Sequence, residues 1–172
     1  DSDRYVAYMK EQMKELTSNH GKIGVLWFDG EWEGTWDRAR GRELYDYVRG
    51  LQPDILINNR VGAGRSGMEG FSEGEPSAGD FGTPEQQIPA TGLPGVYWET
   101  CMTMNDHWGY NTHDVNWKSS AELTRMLADI VSKGGNFLLN VGPTPEGLFP
   151  AGSVERLKDI GRWMKVNSEA IY

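Results

Sequence analysis

Residues 23–30 read Ile23-Gly24-Val25-Leu26-Trp27-Phe28-Asp29-Gly30, an apolar run that ends abruptly in a carboxylate and a glycine. Such a short continuous run suits a strand buried on both faces, as in a parallel sheet, rather than a half-solvated strand with alternating polarity. Upstream, Val6, Met9, Met13 and Leu16 recur at spacings of three and four, which predicts an amphipathic helix over 4–19 with Gly21 as its stop. Downstream, Leu44, Tyr47, Val48 and Leu51 mark a second helix over about 37–50. Asp54-Ile55-Leu56-Ile57-Asn58 follows as a second short buried strand, running into Asn59-Arg60.

The alternation continues. Val96-Tyr97-Trp98-Glu99 reads as a third strand, and Asn136-Phe137-Leu138-Leu139-Asn140-Val141 as a fourth, closed by Gly142-Pro143. Between them Ser119 and Glu122 fit a capping box opening a helix that buries Leu123, Met126, Leu127, Ile130 and Val131. A last helix begins near 153 and carries Val154, Leu157, Ile160 and Met164. Two stretches lack a period: the glycine-rich, acidic 61–89 and the polar, aromatic 100–118. Long loops of this kind in compact domains are functional or disordered. Helices alternating with short apolar strands indicate an α/β fold with a parallel sheet. Four βα units are too few for a closed (β/α)8 barrel of about 250 residues. The expectation is the parallel-stranded half of a (β/α)8 TIM-type barrel.

Composition narrows the function. The 172 residues carry a formal net charge of -8, with 17 Lys and Arg against 25 Asp and Glu. No basic stripe is present, which argues against a nucleic-acid partner that would need clustered cations. No apolar run reaches membrane-spanning length, so no membrane partner is expected. The first residues do not form a signal peptide, and the expected location is secreted or periplasmic within a longer precursor. The single cysteine, Cys101, excludes an internal disulfide framework and any Cys-x-x-Cys motif. Seven Trp, seven Tyr and five Phe favour a carbohydrate ligand mildly, because aromatic faces pack on the apolar face of a pyranose; Trp163 on a helix reads as core.

In parallel α/β folds the chemistry lies at the carboxyl ends of the strands. The expected ends are Asp29, Asn58-Asn59-Arg60, Glu99 and Asn140. Asp is common in such loops as a cap or turn former. The neighbours Trp27 and Phe28 shift the reading of Asp29 towards an ionised, poorly hydrated carboxylate able to attack an anomeric carbon. A retaining glycosidase then needs a second carboxyl group about 5–5.5 Å away, acting as acid and then base. Glu69, Glu73, Glu75, Asp80, Glu85 and Glu99 are all candidates, and spacing does not choose among them. Arg60 either pairs with an acidic neighbour or donates to a sugar hydroxyl. Asp106, His107 and His113 share a loop without metal-ligand spacing, and no metal is expected. Gly62-Ala63-Gly64 lacks the Lys-Ser/Thr continuation of a phosphate loop.

These residues form ordered blocks that resemble glycoside hydrolase family 29, the retaining α-L-fucosidases. The blocks are Val25 to Gly30, Ile57-Asn58-Asn59-Arg60, Gly79-Asp80-Phe81-Gly82-Thr83-Pro84-Glu85, Tyr97-Trp98-Glu99-Thr100-Cys101, Trp108-Gly109-Tyr110-Asn111 and Gly134 through Gly147. Trp163 through Tyr172 is similar to the family's barrel-closing helix. The resemblance implies Asp29 as nucleophile, Glu85 as acid/base, Arg60 as a fucose contact, Trp108 against the C5 methyl of the sugar and Trp27 lining the pocket. It implies hydrolysis of terminal α-L-fucose from a fucosylated glycan by double displacement, without cofactor. It also implies that residues 1–172 are a partial catalytic domain, with the first strands and a C-terminal β-sandwich absent. A homo-oligomer or a complementing half-barrel is therefore expected; the alternative is a non-catalytic carbohydrate-binding fragment.

Overall fold

The computed structural model describes residues 2–72, 74 and 78–172. Two units divide at residue 83, one over 1–83 and one over 84–172, each with its own parallel strand pair. The chain is α/β.

In the first unit α1 (Ser2–Asn19) leads to β1 (Val25–Leu26), α2 (Arg38–Leu51) and β2 (Leu56–Ile57). The strands pair in parallel with Val25 opposite Leu56 and Leu26 opposite Ile57. Leu44 and Val48 of α2, with Ile55, Ile57, Val61 and Ala78, make the buried core, against which Met9 and Met13 of α1 pack. Met9 and Met13 lie on the expected face of α1, and only its last position differs: Leu16 is exposed and Thr17 is the buried residue. Thr17 can be buried because its hydroxyl donates back to the Met13 carbonyl at 2.8 Å, satisfying the polar atom within the helix. Gln52 then joins three segments, donating to the carbonyls of Thr17 (2.7 Å) and Gly21 (2.9 Å) and accepting from the Ile23 amide (2.9 Å).

The strands are shorter than the apolar runs that announce them, and they are not buried on both faces. Val25 is 50% exposed and its partner Leu56 49%, while Ile57 is fully buried. One side of the pair packs on α1 and α2, and the other side is an open apolar surface.

The returning segment 79–82 completes this unit. Asp80 donates its amide to the Ile57 carbonyl (2.6 Å), and Phe81 accepts from the Asn59 amide (3.0 Å), as a further parallel strand would. Gly79 lies so close to Asn58 and Asn59 that a Cβ would overlap their backbone, and its φ of 108° is one that only glycine adopts without strain. The Asp80 carboxylate turns inward. It accepts from Tyr45 (2.6 Å), from Arg49 (2.7 and 2.6 Å) and from the Ile57 amide (2.7 Å). Burial, followed by the hydrogen bond to Asp80, pushes the Tyr45 hydroxyl above its ordinary pKa.

In the second unit β3 (Trp98–Thr103) pairs in parallel with β4 (Gly135–Asn140) over all six residues, from Trp98 opposite Gly135 to Thr103 opposite Asn140. The strand expected over 96–99 thus lies further along the chain, and Glu99 stands near its start rather than at its carboxyl end. Thr100 through Thr103 are expected to open the polar, aromatic loop over 100–118. They are instead buried, between β4 on one side and the 84–86 segment on the other. Gly135 is required beside Trp98, whose indole occupies the place a Cβ would take. α3 (Ser120–Ser132) starts with the expected capping box, in which Ser119 accepts from the Glu122 amide (3.1 Å) and Glu122 accepts from the Ser119 amide (3.4 Å). α4 (Ala151–Asn167) follows β4.

Candidate active site

β1 stops at Leu26, and beyond it a side chain takes the place of the missing ladder. The Asn58 amide accepts from the Phe28 amide N–H (2.7 Å) and donates to the Phe28 carbonyl (2.8 Å). A carboxamide offers one donor and one acceptor in a plane, so it reproduces the pairing that another strand would supply. Asp29 is therefore delivered at the strand's carboxyl end with its backbone fixed one residue earlier.

The Asp29 side chain is 54% exposed, and it is met by the Arg60 guanidinium, whose side chain is only 3% exposed, at 2.8 Å. The expectation of a poorly hydrated carboxylate is corrected here. Water reaches Asp29, and its setting is defined by a buried cation more than by the aromatic neighbours. The guanidinium stacks over the Trp27 ring, 4.5 Å from its centre. Its Nε donates to Thr83 (3.1 Å), and Thr83 in turn donates to the Asn59 side chain (2.8 Å). Thr83 is fully buried and Asn59 nearly so. The charge beside Asp29 is thus held by a stack on one face and a polar chain behind it, a planar, directional hold that lysine could not accept.

The first unit therefore brings Trp27, Asp29 and Arg60 together. It also assigns Asp80, one of the candidate acids, to the structural network with Tyr45 and Arg49. Glu69 is exposed, and the Ser66 hydroxyl donates to it over a long 3.5 Å. Glu73 and Glu75 lie outside the described residues. A buried pair that the sequence reading did not single out lies just past Asp29. Glu31 accepts from Arg65, and both side chains are more than nine-tenths buried. No local pattern announces it, because the partners are 34 residues apart.

The second unit holds Glu85 and Trp108. Glu85 lies beside Cys101 in a parallel bridge, the flanking bonds running from the Cys101 amide to the Pro84 carbonyl (3.1 Å) and from the Gln86 amide to the Cys101 carbonyl (2.9 Å). Trp108 is partly exposed, and its carbonyl accepts from the Asn140 side chain (2.7 Å) at the end of β4. The loop bearing it is organised around Asp114. This buried carboxylate accepts from the His107 ring (2.7 Å), the Asp106 amide (2.9 Å) and the Asn116 amide (3.1 Å). Hydrogen bonding from His107, assisted by the two amides, holds Asp114 below its ordinary pKa. His107 and Asp106 are thus engaged in hydrogen bonds that shape the loop, Asp106 accepting from the Asn116 side chain (3.0 and 3.1 Å).

Comparison with known proteins defines the family. The sequence model described as Alpha-L-fucosidase matches residues 1–169. Human plasma alpha-L-fucosidase is 35% identical over 173 residues, covering 94% of this chain and 34% of that protein. The structure of alpha-L-fucosidase isoenzyme 1 from Paenibacillus thiaminolyticus superposes with a TM-score of 0.88 at 41% identity, covering 100% of this chain and 41% of that one. A family 29 alpha-L-fucosidase from Bacteroides thetaiotaomicron, trapped as a covalent intermediate with 2-fluoro-fucosyl fluoride, gives 0.86 at 26% identity, covering 99% and 41%. The chain belongs to the alpha-L-fucosidase family of glycoside hydrolases. It spans about a third of the length of the curated relatives it matches.

Proposed function

We propose that this chain supplies the nucleophile and the acid/base of a retaining α-L-fucosidase acting on terminal α-L-fucose of glycans. The observation that carries the reading is Asp29, a solvent-reachable carboxylate at a strand's carboxyl end, held by a buried guanidinium stacked on Trp27. Asp29 attacks the anomeric carbon as the bond to the glycan oxygen breaks, and Glu85 gives that oxygen its proton. Water then attacks the same carbon, its proton passes to Glu85, the ester to Asp29 breaks, and fucose leaves with both carboxyl groups restored. Arg60 donates to the sugar beside the nucleophile, Trp108 packs against the C5 methyl and Trp27 lines the pocket. The trapped covalent intermediate of the Bacteroides relative supports double displacement. The reading requires the two carboxyl groups to stand about 5–5.5 Å apart when sugar is bound.

In the same reading the two parallel pairs are strands of a (β/α)8 barrel, supported by the superposition on fucosidases of which this chain covers 41%. The open apolar side at Val25 and Leu56 is then the surface that further strands cover, whether from the same polypeptide or from a second copy.

The test is turnover of an aryl α-L-fucoside. Asp29→Ala should lower kcat by at least about a thousandfold, by analogy with loss of other nucleophiles that act as a unit with their partners. Asp29→Gly with azide should release β-L-fucosyl azide. A folded wild type without turnover would overturn the enzyme reading, and turnover surviving Asp29→Ala would overturn the nucleophile.

A further inference from the structure

One residue of the second unit carries backbone strain. Gln86 has φ of 55°, and among the described residues it alone is a non-glycine with positive φ. That region crowds the Cβ of any L-residue, and Asn, Asp or Gly are the residues that tolerate it. Nothing in the type of side chain favours glutamine there. Its surroundings do. The Gln86 amide N–H donates to the Cys101 carbonyl at 2.9 Å, which ends the short parallel bridge made by Glu85. The side chain then reaches forward along β3. Its Oε1 accepts from the Thr103 amide at 3.2 Å, and its Nε2 donates to the Thr103 hydroxyl at 3.0 Å.

Thr103 is a fixed anchor. It is buried, and its hydroxyl also bonds the Asn105 carbonyl. Its own carbonyl accepts from Lys118 at 2.8 Å. Gln86 itself is exposed. A long exposed side chain loses rotamer freedom when it is held at both ends of its amide, so this clamp opposes entropy as well as sterics. Strained residues persist only where their surroundings over-determine them, and they cluster where geometry matters to function.

We propose that Gln86 is a positioning residue for Glu85. The turn at Gln86 and its hold on Thr103 fix the end of the Glu85 bridge along β3, and so fix the direction from which Glu85 gives and takes its proton. The inference rests on the reading of Glu85 as acid/base. In this role Gln86 need touch neither sugar nor leaving group. It acts by where it keeps the preceding residue.

Leaving-group dependence separates this role from a general loss of structure. A fucoside whose departing phenol is strongly acidic, such as 2,4-dinitrophenyl α-L-fucoside, needs little protonation. A fucosylated disaccharide needs it fully. Gln86→Ala, Gln86→Gly and Gln86→Asn are compared with wild type and Glu85→Ala on both substrates, with folding followed by circular dichroism. Gln86→Ala should lose at least tenfold in kcat/KM on the disaccharide and under threefold on the dinitrophenyl fucoside, with the alkaline limb of its pH profile displaced. Gln86→Gly, which relieves the backbone but drops the clamp, should behave in the same way. Gln86→Asn, free of strain but too short to span Thr103, should not restore the disaccharide rate.

Equal losses on both substrates, or none, would overturn the positioning role while Glu85→Ala retained its own leaving-group dependence. Absence of that dependence in Glu85→Ala would overturn the acid/base reading and this inference with it. A wild type without turnover on either substrate would do the same.

Discussion

The two units reach similar ends by different means. In 84–172 the strands are six residues long and fully paired, so the backbone itself carries the framework. In 1–83 each strand is two residues long, and side chains finish what the ladder does not. Asn58 stands in for a strand beside Phe28, Asp80 ties Tyr45 and Arg49 to β2, and Arg60 is clamped by Thr83 and Trp27. A backbone ladder tolerates exchange of outward side chains, whereas a polar network fails at each member, because its remaining partners stay buried and unsatisfied. The region that presents Asp29 should therefore be the more sensitive to single polar substitutions.

The largest effect that would sharpen this contrast is expected at Arg60. Arg60→Ala removes the charge beside Asp29 and leaves Thr83 without its donor. Turnover of an aryl α-L-fucoside should fall about a hundredfold in kcat/KM, equivalent to about 2.7 kcal/mol. Arg60→Lys should recover little of it, because a point charge neither stacks on Trp27 nor reaches Thr83 and Asp29 together. Full recovery with lysine would show that charge alone matters and that the clamp is incidental. Next comes Asp80→Ala, which removes the acceptor shared by Arg49, Tyr45 and the Ile57 amide. Its expected cost is about 2 kcal/mol of stability, read as a lowered urea midpoint with an unchanged slope. A neutral result would break the claim that side chains hold this unit together.

The smallest effect belongs to the second unit and is confined to acid. Asp114 has its pKa lowered in the folded state, chiefly by His107. Its contribution to stability is thus complete above the ordinary aspartate value of ~4 and is lost as pH falls through the lowered folded value. Thermal unfolding of wild type should show this loss in acid, and Asp114→Asn should show a flatter acid limb. Parallel acid limbs for the two proteins would remove Asp114 from the account of that loop.

How much of this was legible in the sequence depended on the range of the interaction. The helices were, because apolar spacing and the Ser119–Glu122 box are local signals. Asp29 and Arg60 were legible as strand-end residues, and their pairing stood as one of two readings of Arg60. The strand lengths were not. Apolar character over 23–28 does not set the length of the ladder: only Val25 and Leu26 pair as strand, and Val25 is half exposed. Thr100–Thr103 reads as part of the polar stretch that follows it, and burial beside two neighbouring segments outweighed the polarity of its two threonines. Asp80 and Glu85 were indistinguishable by spacing, and only the family resemblance separated them, because each one's setting depends on partners more than a dozen residues away. Gln86 carried no signal at all, because strain is a property of the fold.

Gly79 has a consequence for how such a sequence can vary. Its backbone touches Asn58 and Asn59, the residues that extend β1 and that sit behind Arg60. Any side chain at 79 would displace that segment, and with it the partner of Asp29, without touching the carboxylate itself. Position 79 is thus a place where heredity can disturb Asp29 from a distance. A lineage could exchange Glu69 or Leu16 freely, yet the smallest possible addition at 79, one methyl group, would be read out as damage at residue 29.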